Sequence, residues 1–219
     1  MSTPASSFPA DRGRSVVDAL IATIEAHAQE LSDIDGAIGD GDHGVNMRKG
    51  FRIAHDRMAG VTDLSEGLAT IGSALLVEIG GAMGPLYGTF FGTMAEWCAG
   101  ETAIDAGVVR RMLEHGLEEL ADLGGAQVGD KTLMDTLVPA VAAYGAALDG
   151  GGSFDDALGA LAAAAEEGKE STRDLVARIG RASRLGERSR GVLDAGATSC
   201  WLLLDAMASS MRSLLAAAG

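Results

Sequence analysis

The amino-acid sequence predicts an all-α chain, an up-and-down barrel or bundle of about eight antiparallel helices. Three observations carry that expectation. Hydrophobic residues make up 47% of the 219, yet aromatics only 4%, so alanine, leucine and glycine supply the apolar content, and the first two are strong helix formers. Apolar positions recur at helical spacing through most of the chain. Nowhere does a period-two alternation run long enough to support a sheet.

Residues 1–10, rich in Ser, Pro and Ala, predict a frayed tail ahead of a single domain over 11–219. Val16, Val17, Leu20, Ile21, Ile24, Ala28 and Leu31 mark a first helix over 11–32. The stretch from Asp33 to Gly44 interrupts it, and Met47, Phe51, Ile53, Ala54 and Met58 carry a second over 44–58. A third, opened by a cap at Thr62 or Asp63, covers 63–79. Gly80-Gly81-Ala82-Met83-Gly84-Pro85 forbids a continuous helix, so the fourth is expected over 86–99. Further helices are expected over 105–122, 132–149, 153–168, 169–179 and from about Gly196 to Leu215. Short connections make sequential neighbours antiparallel.

The formal net charge is −14, from 31 acidic and 17 basic residues. Such a field repels nucleic-acid phosphates and anionic membranes, so neither is an expected partner. No apolar run reaches the ~18 residues of a spanning helix, and the N-terminus lacks the apolar core of a signal peptide. A cytoplasmic location is expected. Cys98 and Cys200 lie far apart in apolar stretches and read as buried thiols of a reducing compartment.

Four glycine-rich connections hold the unusual polar residues: 33–46, 80–85, 124–131 and 180–196. A glycine between helices is commonly an ordinary C-cap; four such loops bearing Asp, Lys, Arg and Asn are less easily explained that way. In an up-and-down array, alternate connections fall at the same end, so the first three are predicted to meet there. Asp35, Asp40 and Asp42 lie within one such loop. Brought together they would repel, and a divalent cation removes the repulsion. Oxygen-only ligands suit Mg2+, Ca2+ or Mn2+ rather than zinc. An EF-hand is excluded, because the twelfth position counted from Asp33 or Asp35 is Gly44 or Asn46, not glutamate. Asn46 opens the next helix, whose N-terminus is itself an anion site. Gly80 to Pro85 can present successive backbone N–H groups to phosphate. Gly129-Asp130-Lys131-Thr132 reads as a helix start with Asp130 as N-cap. Arg181, Arg184, Arg188 and Arg190 form a basic cluster, read either as a solvated helix end or as a polyphosphate clamp.

Taken together, residues 34–51 (IDGAIGDGDHGVNMRKGF), 80–91 (GGAMGPLYGTFF), 129–139 (GDKTLMDTLVP) and 180–198 (GRASRLGERSRGVLDAGAT) closely resemble the ADP-binding L subunits of dihydroxyacetone kinases. The resemblance spans nearly the whole chain, in order. It implies a barrel of eight antiparallel helices with a nucleotide, ADP or ATP, at one end. Asp35, Asp40 and Asp42 would hold two Mg2+ ions. His43, Gly44, Val45, Asn46, Ala82 and Met83 would line the phosphates. Gly124, Leu133, Arg181, Asp194, Ala195 and Gly196 would complete the nucleotide site. The ketose would sit on a separate K-type subunit, and a phosphocarrier protein of the phosphotransferase system would recharge the ADP; a homodimer is also compatible. Two departures from the family's pattern stand out. Met83 replaces a common serine, removing a hydroxyl contact to phosphate, and Asp194-Ala195-Gly196 replaces the usual Asp-Pro-Gly. Phosphoryl transfer rests on positioning and charge neutralisation, so no protein nucleophile is expected. Three other readings remain: an L-type subunit of another ketose kinase, such as a tetrulose kinase using free ATP, a regulatory protein that senses Mg–nucleotide, and a helical scaffold whose acidic loop is simply solvated.

Overall fold

The computed structural model describes residues 5–218. Eight α-helices follow one another among these residues: α1 (Arg14–Ile38), α2 (His43–Asp56), α3 (Leu64–Glu78), α4 (Met83–Cys98), α5 (Ala106–Gly124), α6 (Met134–Asp149), α7 (Phe154–Ser171) and α8 (Ala195–Ala218). Each packs on its neighbour in sequence, and α8 returns to pack on α1, so the array closes into a barrel. The all-α, up-and-down expectation holds. No helix among the described residues is long and apolar enough to cross a membrane.

Periodicity drives this closure. The apolar stripe of α1 buries Val16, Val17, Leu20, Ile21, Ile24, Ala28 and Leu31, the residues whose spacing marked the helix in the sequence. They join a continuous core with Met47 and Phe51 of α2, Leu68 and Ile71 of α3, Phe90 and Phe91 of α4, and Leu203 and Met207 of α8. Phe51 and Phe90 both meet the Phe91 ring edge-on. Both cysteines are buried free thiols, and burial pushes Cys98 up to about 12.

Capping explains where some helices begin. Asp63 is the N-cap of α3, its carboxylate accepting the N–H groups of Ser65 at 2.7 Å and Glu66 at 3.4 Å. Ser153 and Asp156 form a reciprocal capping box at α7.

Four expectations about element boundaries need correction. The first helix does not stop at 32: α1 runs to Ile38, through Asp33, Asp35 and Gly36, and only residues 39–42 remain as loop. Tertiary packing carries it past a residue of poor helix propensity. The fourth helix begins at Met83, because Pro85 in a first turn gives up an N–H that has no partner there. The predicted helix over 169–179 does not form. After Ser171 comes a 3-10 turn, Thr172–Asp174, and the following backbone is captured by other loops: the Ala177 N–H by Ser189 Oγ at 2.9 Å and the Arg178 N–H by the Asp130 carbonyl at 3.1 Å.

The fourth concerns the N-terminus. Residues 1–4 of the expected tail lie outside the described residues, but Ser7–Pro9 form a strand, β1, paired antiparallel with β2 (Ala103–Asp105). Phe8 is only 1% exposed within the core, and that burial, invisible to periodicity in so short a segment, fixes the strand. Phe8→Ala is expected to cost about 3 kcal/mol in urea unfolding. A loss below about 1 kcal/mol would mean the segment is not anchored by its side chain.

Candidate functional site

The connections α1–α2, α3–α4, α5–α6 and α7–α8 form one end of the barrel, and side chains of Arg181 and Lys131 tie the α7–α8 connection to the first and third of the others. The first spans only residues 39–42. Gly41 takes a left-handed φ of +75°, which glycine adopts without steric cost, and this folds residues 39–42 back toward the last turn of α1. Gly44 then lets α2 press against α1, since a β-carbon there would collide with the Ala28 carbonyl oxygen. The result sets Asp35, on the last turn of α1, beside Asp40 and Asp42. One carboxylate oxygen from each lies within 4.8 Å of the others. Asp35 also accepts the His43 N–H at 3.3 Å.

Arg181, from the α7–α8 connection, brings its guanidinium onto Asp40 and to 3.8 Å from Asp42. The rest of the basic cluster divides. Arg190 pairs with Glu187 at 3.1 Å and donates to the Asp174 carbonyl, while Arg184 and Arg188 point outward without an ion pair among the described residues. One guanidinium facing three carboxylates leaves the cluster anionic, and hard oxygen donors at this spacing fit a divalent cation of the Mg2+ type.

Behind the acidic turn lies a buried polar network that sequence reasoning did not find. His43 Nε2 is hydrogen-bonded to Ser199 Oγ at 2.9 Å. The Tyr87 hydroxyl meets the same Oγ at 2.7 Å and donates to the Gly196 carbonyl at 3.1 Å. The N-terminal ends of α2, α4 and α8 are thereby locked side by side. Burial lowers His43 to about 4 against the opposing Asp35 charge, so the ring is neutral near pH 7. Burial also raises Tyr87 well above its ordinary value. Tyr87 carries no sequence signal beyond its place within the 80–91 motif, and Ser199 lies just beyond the 180–198 motif.

The remaining predicted site residues spread around this rim. Leu133 comes against Gly196, where a β-carbon would lie 3.5 Å from the Leu133 nitrogen. Gly124, at the end of α5, meets Leu86 of α4. Ala82 and Met83 open α4, which has no side-chain cap, and Ala195 opens α8. Val45 is exposed and Asn46 partly so on the first turn of α2. No direct contact joins Ala82 or Met83 to the acidic turn; α4 links them to it through Tyr87, Ser199 and His43.

Asp194 precedes α8 and caps it, its Oδ2 accepting the Ala197 N–H at 2.7 Å. Asp130, by contrast, is not the cap expected for α6. It takes the Gln127 N–H at 2.9 Å, and buried Asp135 holds the turn instead, accepting from Gly129 and from Thr132 at 2.7 Å. Loss of solvation raises Asp194 from 3.8 to about 6, opposed by its backbone hydrogen bond and by Lys131. Between those values the folded chain holds a proton that the unfolded chain has released. The stability Asp194 contributes is therefore greatest below about 4 and declines as pH climbs to about 6. Melting temperatures of the nucleotide-free chain test this: Asp194→Asn should gain on the parent as pH rises across that window. A pH-independent difference between the two would contradict it.

Comparison with known proteins agrees with the geometry. The DAK2 domain model matches residues 37–209. The sequence is 40% identical to the "PEP-dependent dihydroxyacetone kinase 1, ADP-binding subunit DhaL" of Listeria innocua, over 84% of this chain and 88% of that protein. Identity to the ADP-binding subunit DhaL of the PEP-dependent dihydroxyacetone kinase of Escherichia coli is 37%, over 83% and 87%. The fold matches the crystal structure of the dihydroxyacetone kinase from C. freundii in complex with AMP-PNP and Mg2+ with a TM-score of 0.68 and 26% identity. That match covers 96% of this chain and 35% of the other, so this chain corresponds to about a third of that longer polypeptide. With the family model matched over residues 37–209 and 40% identity to a curated relative over 84% of this chain, the chain belongs to the DAK2 domain family.

Proposed function

We propose that this chain is the nucleotide-carrying subunit of a dihydroxyacetone kinase, binding ADP or ATP with Mg2+ at the loop end of the barrel and passing phosphoryl to dihydroxyacetone on a K-type partner. The observation that carries the reading is the convergence of Asp35, Asp40 and Asp42 within 4.8 Å on the rim where α2, α4 and α8 begin. Helix N-termini favour phosphate through free N–H groups and the positive end of the dipole, while carboxylates repel it unless metal intervenes. A metal–polyphosphate ligand satisfies both halves of such a rim.

In this reading Asp35, Asp40 and Asp42 hold two Mg2+ ions, which when bound neutralise charge on the phosphates. His43 to Asn46 and Ala82-Met83 line the phosphates with backbone N–H groups. Met83 offers no hydroxyl, so that contact is made by the main chain alone. Neutral His43, held by Ser199, fixes the first turn of α2 without adding a charge. Arg181 already reaches the acidic turn and is placed to meet phosphate oxygens beside it. Gly124, Leu133 and Asp194 to Gly196 enclose the rest of the nucleotide. These groups bind, orient and screen charge, which is what phosphoryl transfer asks of a protein.

A partner that holds the substrate is supported by the surface. Among the described residues, the large hydrophobic side chains left exposed are Val45, Leu76, Val77, Leu123, Val128, Ile179 and Trp97. All but Trp97 sit at helix ends or connections of the loop end. An apolar collar around a charged mouth suits docking onto another protein that closes over it. The relatives named as ADP-binding subunits of PEP-dependent kinases support a phosphocarrier as the phosphoryl source.

Reconstitution with a K-type subunit loaded with dihydroxyacetone tests the proposal. Triose phosphate should form, and Asp42→Asn should lower turnover about 100-fold. Parallel arms with free ATP, with a phosphocarrier system, and with erythrulose in place of dihydroxyacetone define donor and ketose. Absence of transfer in every arm, with a transcriptional regulator as the sole protein captured by the chain, would replace this reading by the nucleotide-sensing one.

A further inference from the structure

Two lysines are buried among the described residues, Lys131 and Lys169, and Lys131 differs from Lys169 in its backbone conformation and in its acceptors. Its side chain is 2% exposed, on a turn that the sequence marks only as a helix start. Its φ of +64° makes it the one non-glycine left-handed residue among those described, a conformation that a lysine β-carbon disfavours. The ammonium explains why the fold retains it. Nζ donates to the carbonyl oxygens of Thr172 at 2.6 Å, Leu175 at 3.3 Å and Val192 at 2.5 Å. Three donors meet three acceptors, so the buried charge is fully satisfied.

Those carbonyls belong to both ends of the long α7–α8 connection. Thr172 is doubly used: its carbonyl accepts from Lys131, and its hydroxyl oxygen accepts the Asp194 N–H at 3.0 Å. Val192 lies two residues before Asp194. On the other side, the next residues after Lys131 are Thr132 and Leu133, and the Leu133 backbone comes against Gly196. The ammonium therefore fastens Asp194 and α8 to Leu133 and α6, two walls of the same rim. Burial lowers the lysine's proton affinity, with the nearby Asp194 and Asp135 charges working against that fall.

We propose that Lys131 is a positioning residue, an internal tethered cation that holds Asp194 to Gly196 in register with Leu133 and so preforms the nucleotide side of the site. This rests on the Mg–nucleotide reading above. It acts through the three carbonyls and need not touch the ligand. Its head group does the work of a monovalent cation in an all-oxygen ring, so a small free ammonium can stand in for it.

Lys131→Gly is the informative variant, because glycine suits the left-handed backbone and the stem and ammonium are removed without backbone strain. In the ligand-free chain, hydrogen exchange at the Ala197 amide should quicken. In calorimetry with Mg2+, ADP affinity should fall about tenfold. Butylammonium, which replaces the missing stem and head, should restore both, whereas tetramethylammonium and sodium should not. Lys131→Asn, also tolerated in the left-handed region, takes the affinity measurement if the glycine variant does not fold. Unchanged exchange and affinity in a folded variant, or equal rescue by all three cations, would overturn the proposal. Should the parent chain itself fail to bind Mg–ADP, the functional reading falls with it, and the exchange measurement alone then reports whether the clamp exists.

Discussion

Three carboxylates held within a few ångströms of each other are a cost that a fold must offset, and on a chain of net charge −14 nothing distant helps. Asp35, Asp40 and Asp42 are brought together by the sharp return at residues 39–42 and by the close approach of α2 to α1 over Gly44. Arg181 answers part of that charge. This one guanidinium reaches the acidic turn from the α7–α8 connection, which Lys131 and Ser189 hold from within. The loop end thus sets acid on one connection against base on another, with a ring of helices holding the two face to face.

Closure of the ring makes this possible. Eight helices joined in sequence, with α8 returning to α1, place every second connection at the same end. Residues far apart in the chain meet there, as His43 meets Ser199 and Lys131 meets Val192. Buried polar groups then lock the arrangement. The network of His43, Ser199, Tyr87 and Gly196 and the clamp of Lys131 on three carbonyls are each satisfied internally, and such groups are expensive to disturb because an unpaired partner would stay buried. The rim is thus rigid where it would hold phosphate and apolar where it would meet a partner.

The helical array was legible in the sequence because periodicity reports which face is buried, and the stripes of α1 and α2 needed no further information. The Asp63 cap was legible for the same local reason. The acidic turn could be identified from Asp35, Asp40 and Asp42, though not the fact that Asp35 would sit on a helix. What failed was decided at long range. Residues 175–178 have helical character, yet Ser189 and Asp130 take their N–H groups. Phe8 pins a strand that three residues cannot announce. Lys131 looked like an ordinary polar residue beside Asp130, since its left-handed backbone and its acceptors on other loops leave no pattern in a single sequence.

The central claim is that metal and nucleotide bind as one unit at the acidic turn. Calorimetric titration of ADP with and without Mg2+, on the parent chain and on Asp40→Ala, addresses it most directly. The account expects tight binding only when Mg2+ is present, and its loss in the variant. Equal ADP binding with and without the metal, or a variant indistinguishable from its parent, would contradict it.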